Sequence, residues 1–372
     1  MRILHVTAGI GRSNGVMSVI LNYARHMPPD IRFDVLYFVE TGDDREEELT
    51  SLGGTATRIT SPGLHSFRRD DVDEYLAAHR GEYAAIHLHL PYLASVFAPK
   101  ARKYGIPRVI VHCHTSCFSL ERNGWRNRIL NLPTKIVAND LLACSYDAGC
   151  VWFGRRAMEY GRVVVLPNAI ECELFRFTPS IRQAVRQELK LDGHFVAGHV
   201  GTLSKPKNHT FLLRVFAELC GRRENAVLLL VGEGVLRGRI MAQAEELGLR
   251  DKVVFLGNRE DVPQLLQAMD VFFFPSLHEG LGIAAVEAQV AGLPTLVSEA
   301  IPAEACVTNR VYRLPLNAHP SLWAETALEL AALQRDDCIS QVEATCFDLR
   351  KSSSWLAAFY KKSGETEDDI YS

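Results

Sequence analysis

Short apolar runs alternate with amphipathic patterns along almost the whole chain, and this alternation constrains the fold more than any other feature. Arg2–Thr7, Phe33–Val39 and Ala84–His89 are such runs in the first half, and Phe195–Val200 and Val227–Val231 begin a clearer series in the second. Strands that alternate with helices form βαβ units, whose strands pair in parallel sheets. The sequence therefore predicts an α/β protein built from doubly wound, Rossmann-like sheets.

A polar stretch separates the two series of strands. Residues 171–191 are rich in Arg, Glu and Gln, and we interpret them as the connection between two domains. The predicted domains comprise residues 1–170 and residues 171–349. A chain of 372 residues with 47% hydrophobic residues is long enough for each domain to bury its own core.

Composition argues against several classes of protein. The formal net charge is -3, so no overall basic field favours nucleic acid as a partner. The nine cysteines are odd in number and irregularly spaced, which predicts reduced thiols rather than a disulfide framework. No signal-peptide pattern and no run of about 18 apolar residues is present, so we expect a cytoplasmic protein, or one resting on the inner face of the cell membrane.

The most specific motif is the strand–loop–helix of residues 271–291. The apolar strand Val271–Pro275 is followed by a glycine-rich loop, and Gly292 marks the end of a helix predicted over residues 281–291. Backbone amides that open a helix carry its positive dipole end, so they form a ready site for a diphosphate. The amides expected there belong to Leu281, Gly282 and Ile283.

Two glutamates flank this predicted anion site. Glu279 precedes the helix and Glu287 lies about two turns into it. Their carboxylates can accept hydrogen bonds from the hydroxyls of a sugar ring and of a ribose. The alternative is an ordinary strand–loop–helix with two solvated glutamates, but the glycine loop and the helix end in register favour the ligand site.

Loops at three other predicted strand ends contribute to the same site. Residues 201–209 place Lys207 beside a helix N-terminus, where its ammonium can neutralise phosphate, with Asn208 as the N-cap. The alternative for Lys207 is a surface lysine. Gly232 and Asn258 follow two further strands, whose carboxyl ends open the same crevice.

Three features of the first half leave alternatives open. The loop of residues 9–15 resembles a dinucleotide fingerprint, but its acidic partner Asp34 is poorly placed, so the loop could instead cap a diphosphate. His112 and His114, at a strand end, could bind metal, be structural or contact substrate, and no third ligand is visible in the sequence. Residues 120–130 mix Arg with Trp, Ile and Leu, which suits either an anionic membrane or a solvated helix face.

Taken together, these motifs resemble those of the retaining glycosyltransferases of family 4. Residues 111–116 and 153–154 further resemble its exopolysaccharide- and capsule-type branch. The resemblance implies the GT-B fold, with two facing Rossmann-like domains, the donor held by the second, and residues 350–372 returning to the first. The motifs that carry it are Glu279 with Glu287, Gly201–His209, Gly232–Gly234 and Pro167–Ile170.

The resemblance also implies roles for individual residues. Glu279 would contact the donor sugar, Glu287 the ribose, and Lys207 the leaving diphosphate. His114 would lie near the sugar, with His112 as the alternative. The implied catalytic residues are His114, Glu279 and Lys207, and the implied donor-binding residues are Asn14, Gly15, Thr202, Lys205, Gly232, Asn258, Leu281, Gly282, Ile283 and Glu287.

The reaction implied by the resemblance needs no metal or other cofactor. It transfers a hexose from a nucleotide-sugar, expected to be a UDP-sugar, and retains the anomeric configuration without a protein nucleophile. The expected acceptor is a saccharide, lipid-linked, in surface polysaccharide assembly at the membrane surface, and no nucleic acid takes part.

Two positions depart from the pattern of the family. Thr202 stands where the family has Arg, and Lys205 can replace only the charge because lysine is not a bidentate clamp. Ala169 stands where Gly is usual. Two alternative functions remain: a sugar-nucleotide epimerase of the same architecture and, because of Thr202, a catalytically silent, nucleotide-sugar-binding partner subunit.

Overall fold

The computed structural model describes residues 1–12, 14–62, 68–116, 118, 124–333, 335 and 337–362. The chain divides into two compact units. The first contains Met1–Ile170 together with the chain from Cys346 onward, and the second contains Glu171–Thr345. Several predicted features lie outside the described residues: the polar tail of residues 363–372, residues 120–123, Ser13 and Cys117.

The described part of the first unit forms a parallel sheet of seven strands in the order β3-β2-β1-β4-β5-β6-β7. The order reverses between β1 and β4, and ligands of open α/β sheets bind at such a switch point. The strands are β1 (Arg2–Val6), β2 (Arg32–Tyr37), β3 (Ala56–Arg58), β4 (Tyr83–Leu88), β5 (Arg108–Cys113), β6 (Asp140–Ala143) and β7 (Val164–Val165). The helices are α1 (Gly15–His26), α2 (Glu46–Ser51), α3 (Asp71–Ala78), α4 (Ala94–Lys103), α5 (Gly124–Leu130), α6 (Thr134–Val137), α7 (Tyr146–Phe153) and α8 (Arg155–Glu159).

The second unit repeats this architecture within its described residues, with a parallel sheet of six strands in the order β10-β9-β8-β11-β12-β13. Its switch point lies between β8 and β11. The strands are β8 (Phe195–Val200), β9 (Ala226–Val231), β10 (Val253–Gly257), β11 (Val271–Phe274), β12 (Thr295–Ser298) and β13 (Val311–Leu314). The helices are α9 (Cys172–Phe175), α10 (Pro179–Glu188), α11 (His209–Arg222), α12 (Arg237–Glu246), α13 (Val262–Ala268), α14 (Ile283–Val290), α15 (Pro320–Ala331) and α16 (Ile339–Glu343).

The predicted α/β class and the two Rossmann-like sheets are confirmed. The apolar run Ile136–Cys144 predicts a strand, but its first half is wrong, because residues 134–137 form helix α6 and the strand begins only at Asp140. Pro133 takes the cap position of α6, where its missing N–H costs nothing, and Ile136 is 83% exposed. Ile136 is apolar but exposed, so its place at the start of an apolar run wrongly predicted that the strand begins there.

The polar stretch of residues 171–191 is not a linker, and that interpretation was wrong. It forms α9 and α10, and α10 packs on α13 within the second unit. Arg182 donates from Nη1 to the carbonyls of Gln267 and Met269, at 2.9 and 2.8 Å. Arginine-rich sequence can pack into a fold when carbonyl and carboxylate oxygens receive its five N–H groups.

The last described helix, α17 (Leu349–Lys361), belongs to the first unit and packs against α1. The sequence spaces Trp355, Leu356, Phe359 and Tyr360 on one apolar face of this helix. The structure confirms that face, because Leu356, Phe359 and Tyr360 are buried in the core of the unit and Trp355 packs against it. The returning chain also bonds to the end of the first unit, since the amide of Leu349 donates to the carbonyl of Ile170 at 3.0 Å. Among the helices described, none has both the length and the apolarity needed to span a bilayer.

Candidate active site

The switch point of the second unit brings together the two loops that carry the strongest motifs. The loop after β8 and the loop after β11 leave neighbouring strands at the same edge of the sheet. They bond to each other directly: Leu277 donates its amide to the carbonyl of Pro206 at 2.7 Å, and Asn208 donates from Nδ2 to the carbonyl of Pro275 at 3.1 Å. Asn208 occupies the N-cap position of α11 but gives it no side-chain cap, because its amide spans the two loops.

Lys207 and Glu279, which the sequence places on different loops, meet in an ion pair. Their Nζ and Oε1 atoms are 2.6 Å apart, and the two side chains are only 17% and 13% exposed. The ammonium also lies 4.6 Å from the ring centroid of Phe274. Partial burial strengthens such charge interactions. The lysine is therefore held at the sheet edge by a carboxylate with which an anionic ligand would compete.

Helix α14 begins beside this pair, at Ile283. Its predicted start at Leu281 was two residues too early, because Gly282 is the N-cap with φ 89° and ψ 48°, a left-handed conformation that ends regular helix. A Cβ on Gly282 would also lie 3.1 Å from the ring of Phe274. The amides of Ile283 and Ala284 open the helix, and Leu281 is buried before the cap.

Glu287 lies one turn beyond Ile283, on the same helix. Burial raises the pKa of its carboxyl to about 8, and the charge of Lys207 opposes this rise without cancelling it. The group is therefore mostly protonated at neutral pH. A partner that donates hydrogen bonds to the carboxylate would favour its ionised form.

Glycines allow the neighbouring strand ends to approach closely. Gly232 has φ 132°, donates its amide to the carbonyl of Gly257 at 2.8 Å, and could not carry a Cβ, which would lie 2.3 Å from the carbonyl oxygen of Gly201. Three predicted donor residues lie exposed on the loops of this edge. They are Thr202, Lys205 and Asn258.

Sequence analysis missed a histidine beneath this edge. His199, in β8, is fully buried and donates from Nδ1 to the carbonyl of Phe273 at 2.8 Å. Burial, and then the neighbouring His209, hold the pKa of His199 well below its usual range. The signal was available, because a histidine at the carboxyl end of an otherwise apolar strand is unusual.

In the first unit, Asn14 acts as the N-cap of α1. Its Oδ1 accepts from the amides of Val16 and Met17 at 3.0 and 3.3 Å, and its Nδ2 donates to the carbonyl of Gly9 at 2.6 Å. Both ends of the amide are thus engaged within the chain. Gly15, the first residue of the helix, faces open space.

His114 and His112 belong to a cluster of five histidines at the carboxyl ends of β1, β4 and β5. Rings from neighbouring strands stand next to one another, with the centroids of His89 and His114 5.0 Å apart. Burial lowers the pKa of His114 to about 4, so the ring is neutral at physiological pH. Sequence analysis missed three members, although the repeated His-x-His pattern at 87–89 and 112–114 was a signal. Those three are His5, His87 and His89.

The structure narrows the alternatives for these two histidines. His112 is buried and donates from Nε2 to the carbonyl of Leu166 at 3.1 Å, a structural contact. His114 is only partly buried, with Nδ1 2.9 Å from Oδ1 of Asn168 and Nε2 2.7 Å from Nδ1 of His89. The third possible metal ligand that the sequence did not show is His89. His89, His112 and His114 each have a ring nitrogen within 4.8 Å of the others.

Helices α5 and α6, with the turn between them, expose four large apolar side chains of the first unit. Trp125, Ile129, Leu132 and Ile136 are 70%, 55%, 68% and 83% exposed. These residues fall partly within the segment predicted to meet a membrane, whose first four residues lie outside the described chain. Basic side chains interleave with them in sequence: Arg126, Arg128 and Lys135.

Comparison with known proteins identifies what this chain resembles. The family model "Glycosyl transferases group 1" matches residues 181–319. The putative glycosyltransferase EpsF of Bacillus subtilis is 35% identical over 350 residues, 90% of this chain and 88% of that protein. The UDP-Gal:alpha-D-GlcNAc-diphosphoundecaprenol alpha-1,3-galactosyltransferase of Escherichia coli is 26% identical over 237 residues, 60% of each chain.

The fold is similar to that of a solved structure. Anabaena HepE, crystallised in complex with UDP and glucose, matches with a TM-score of 0.81 at 21% sequence identity. The match covers 98% of this chain and all of that one. Both Rossmann-like units are therefore those of the GT-B fold.

Proposed function

The chain belongs to the group 1 glycosyl transferases, and we propose that it transfers a hexose from a UDP-sugar to a saccharide with retention of the anomeric configuration. The observation that carries this proposal is the convergence of Lys207, Glu279 and the first turn of α14 at the switch point of the second unit. A positive helix end and a lysine suit a diphosphate, and the carboxylates suit hydroxyls. In the sequence, Lys207 lies on the loop after β8, whereas Glu279 and the start of α14 follow β11.

UDP is proposed as the nucleotide because of the similar proteins. The HepE structures contain UDP, and the Escherichia coli relative uses UDP-Gal. That relative acts on a diphosphoundecaprenol-linked sugar, which supports a lipid-linked saccharide acceptor and a role in surface polysaccharide assembly. Neither inference depends on Thr202 or Ala169, where the chain departs from the family pattern.

The proposed chemistry needs positive charge where the leaving group forms. The bond between the anomeric carbon and the diphosphate oxygen breaks, and the acceptor oxygen bonds to that carbon on the same face. The acceptor's proton passes to the departing diphosphate. Lys207, released from Glu279, and the amides of α14 stabilise the negative charge, so we propose that no metal is required.

The two glutamates complete the proposed donor site. Once Lys207 turns to the diphosphate, the Oε1 atom of Glu279 that it now holds can accept a hydrogen bond from the donor sugar. Glu287, in the second turn of α14, would accept from the ribose diol and lose its proton on binding. His114 remains the residue of the first unit proposed to lie near the sugar, and both of its ring nitrogens are engaged, by His89 and by Asn168.

The exposed apolar side chains within residues 125–136 support a membrane-bound acceptor. Large exposed apolar side chains flanked by basic residues suit the interface of an anionic bilayer. We propose that Trp125 and Ile129 insert there. The fraction of protein that sediments with phosphatidylglycerol vesicles should fall strongly for the Trp125→Ser, Ile129→Ser double variant. It should stay unchanged for the control Val235→Ser, whose side chain is 95% exposed on the second unit. Equal loss in both variants would contradict this placement.

Nucleotide titration and a transfer assay test the proposal. Calorimetry should show binding of UDP in preference to GDP and ADP, and purified protein should transfer sugar from UDP-hexose in EDTA as well as in Mg²⁺. Glu279→Gln should abolish transfer, while Glu246→Gln, on the exposed face of α12, should not. Preferential binding of GDP or ADP would overturn the nucleotide assignment, and activity that depends on metal would overturn the mechanism. Epimerised donor in the absence of acceptor would favour the epimerase alternative.

A further inference from the structure

Three histidines of the first unit are joined end to end by hydrogen bonds. Nδ1 of His5, next to the end of β1, lies 2.9 Å from Nε2 of His89. Nδ1 of His89 lies 2.7 Å from Nε2 of His114. The series ends at Asn168, whose Oδ1 is 2.9 Å from Nδ1 of His114. Neither the fold nor the proposed donor site requires such a series.

The ring geometry shows that these contacts are well-aligned hydrogen bonds. The ring centroids of His5 and His89 are 5.2 Å apart with an interplanar angle of 14°, and those of His89 and His114 are 5.0 Å apart at 29°. Each centroid distance exceeds its nitrogen–nitrogen distance by about one ring diameter. The bonded nitrogens therefore lie almost on the line between the ring centres, within nearly coplanar rings, which is the strongest arrangement.

The two ends of the series fix the direction of its hydrogen bonds. At the outer end, the carbonyl oxygen of Asn168 can only accept, so the proton of His114 is on Nδ1. Nε2 of His114 then accepts from His89, and Nε2 of His89 accepts from His5. At the inner end, Nε2 of His5 is buried without a hydrogen-bond partner among the described residues. In the opposite direction this atom would be an unpaired buried N–H, which is the costlier state.

Burial keeps every ring of the series neutral, as this arrangement requires. Desolvation lowers the pKa of His5 to about 3 and that of His114 to about 4, and holds that of His89 well below its usual range. A neutral imidazole has one donor and one acceptor nitrogen, so each ring can serve both neighbours at once.

The outer end of the series reaches the carboxyl edge of the sheet. Asn168 is partly exposed and follows β7 by three residues. Its Oδ1 is held by His114, and its Nδ2 makes no hydrogen bond within the described part of the chain. A free asparagine amide can turn over and exchange its two ends, whereas this one is held with its NH₂ group outward.

We propose that His5, His89 and His114 form a positioning relay that locks the side-chain amide of Asn168, so that its NH₂ group donates a hydrogen bond to a hydroxyl oxygen of the saccharide acceptor. The relay rests on the proposed function only for the identity of that acceptor. His5 and His89 act through Asn168 and do not touch substrate. The inference makes Asn168 a specificity-determining residue of the first unit.

A metal ion is the competing explanation for clustered histidines. Nitrogens bound to a tetrahedral zinc at about 2.0–2.1 Å are about 3.3 Å from one another, whereas the bonded nitrogens here are 2.7 and 2.9 Å apart and share a proton. The cavity next to His5 and His87 has a volume of only about 10 Å³, roughly the lower limit for a single water molecule. Both observations favour hydrogen bonds.

The first experiment reads the protons of the relay directly. Two-bond ¹H–¹⁵N correlation spectra of the full chain, labelled with ¹⁵N-histidine, should show His5, His89 and His114 neutral with the proton on Nδ1. A proton on Nε2 of His114, or an imidazolium in the series at pH 7, would overturn the relay. So would stoichiometric zinc retained after dialysis by the wild-type protein and lost in His89→Phe.

The second experiment separates the relay from simple burial. His5→Leu removes the inner donor, and His5→Asn keeps a donor nitrogen at the position of Nδ1. His87→Leu is the matched control, since His87 is equally buried in the cluster but bonds to the hydroxyl of Tyr360. His5→Leu should change the ring signals of His114 and raise KM for the saccharide acceptor about tenfold, the effect of one lost hydrogen bond to substrate. His5→Asn should restore the wild-type ring signals of His114 and the wild-type KM, and His87→Leu should leave the signals and KM unchanged.

Asn168→Asp isolates the outer end of the relay. The new carboxylate in this variant still offers His114 an acceptor oxygen but has no NH₂ group to donate, so the His114 signals should stay, KM for the saccharide acceptor should rise, and affinity for UDP should be unchanged. Equal effects of His5→Leu and His87→Leu, or an unchanged KM in Asn168→Asp, would overturn the relay. If the wild-type chain transfers no sugar, the proposed function fails, and the ring spectra still decide the hydrogen-bond series.

Discussion

Glu287 should make the chain less stable as the pH rises, and Glu287→Gln should remove that effect. The pKa of the carboxyl is 4.5 in an unfolded chain and about 8 in the folded protein, because burial disfavours the charged form. Between these values the folded state holds a proton that the unfolded state has lost. The stability contributed by this proton is complete below pH 4.5 and is lost as the pH rises toward 8.

The magnitude follows from the linkage of protons to folding. Each pH unit within this window lowers the free energy of unfolding by about 1.4 kcal/mol through Glu287 alone. From pH 5.5 to 7.5 the wild-type protein should therefore lose about 2–3 kcal/mol that the glutamine variant keeps. For a unit of this size that corresponds to about 5–10 °C in Tm.

Thermal unfolding at the two pH values, together with calorimetry of UDP, provides the assay. The Tm difference between Glu287→Gln and wild type should grow with pH, whereas Glu246→Gln, on an exposed helix face, should track the wild type. UDP affinity of the wild type should rise up to pH 8, because the ribose needs the carboxylate, and the variant should bind weakly at every pH. A pH-independent Tm difference, or full UDP affinity in the variant, would refute the reasoning.

Three further substitutions test other parts of the structure. Lys207→Met should lower kcat about a hundredfold in a transfer assay by removing a charge that stabilises the leaving group, whereas Lys205→Met, at an exposed position of the same loop, should cost much less. Gly232→Ala should lower stability in urea unfolding by at least about 2 kcal/mol, because its Cβ would lie 2.3 Å from a carbonyl oxygen and its φ is 132°. Asn14→Ala should cost about 1 kcal/mol in the same assay by removing the cap of α1, and Asn14→Ser should restore most of it.

The sequence predicts the central strands of both sheets well but misses two of the edge strands. Strands such as Val271–Phe274 are buried on both faces, so they are continuous apolar runs that stand out in the sequence. The edge strands β3 and β13 went unpredicted, because Ala56–Arg58 and Val311–Leu314 are short, half-exposed and interrupted by arginine. An edge strand needs only one hydrogen-bonded neighbour and little apolar sequence.

The candidate site is predictable where a motif is continuous and unpredictable where it depends on sheet order. Glu279 and Lys207 could be proposed separately from their loops, but their ion pair results from the adjacency of β8 and β11, which no local pattern encodes. The histidine relay was missed for the same reason. His5 and His89 lie 84 residues apart in sequence and meet only because β1 pairs with β4.

The central claim, that the first turn of α14 and Lys207 bind the diphosphate of the donor, is tested most directly by a crystal structure of the full chain with UDP. We predict diphosphate oxygens within about 3 Å of the Ile283 and Ala284 amides and of the Lys207 ammonium, with the bond from Lys207 to Glu279 broken. Diphosphate bound elsewhere, with the Lys207–Glu279 pair intact, would contradict it.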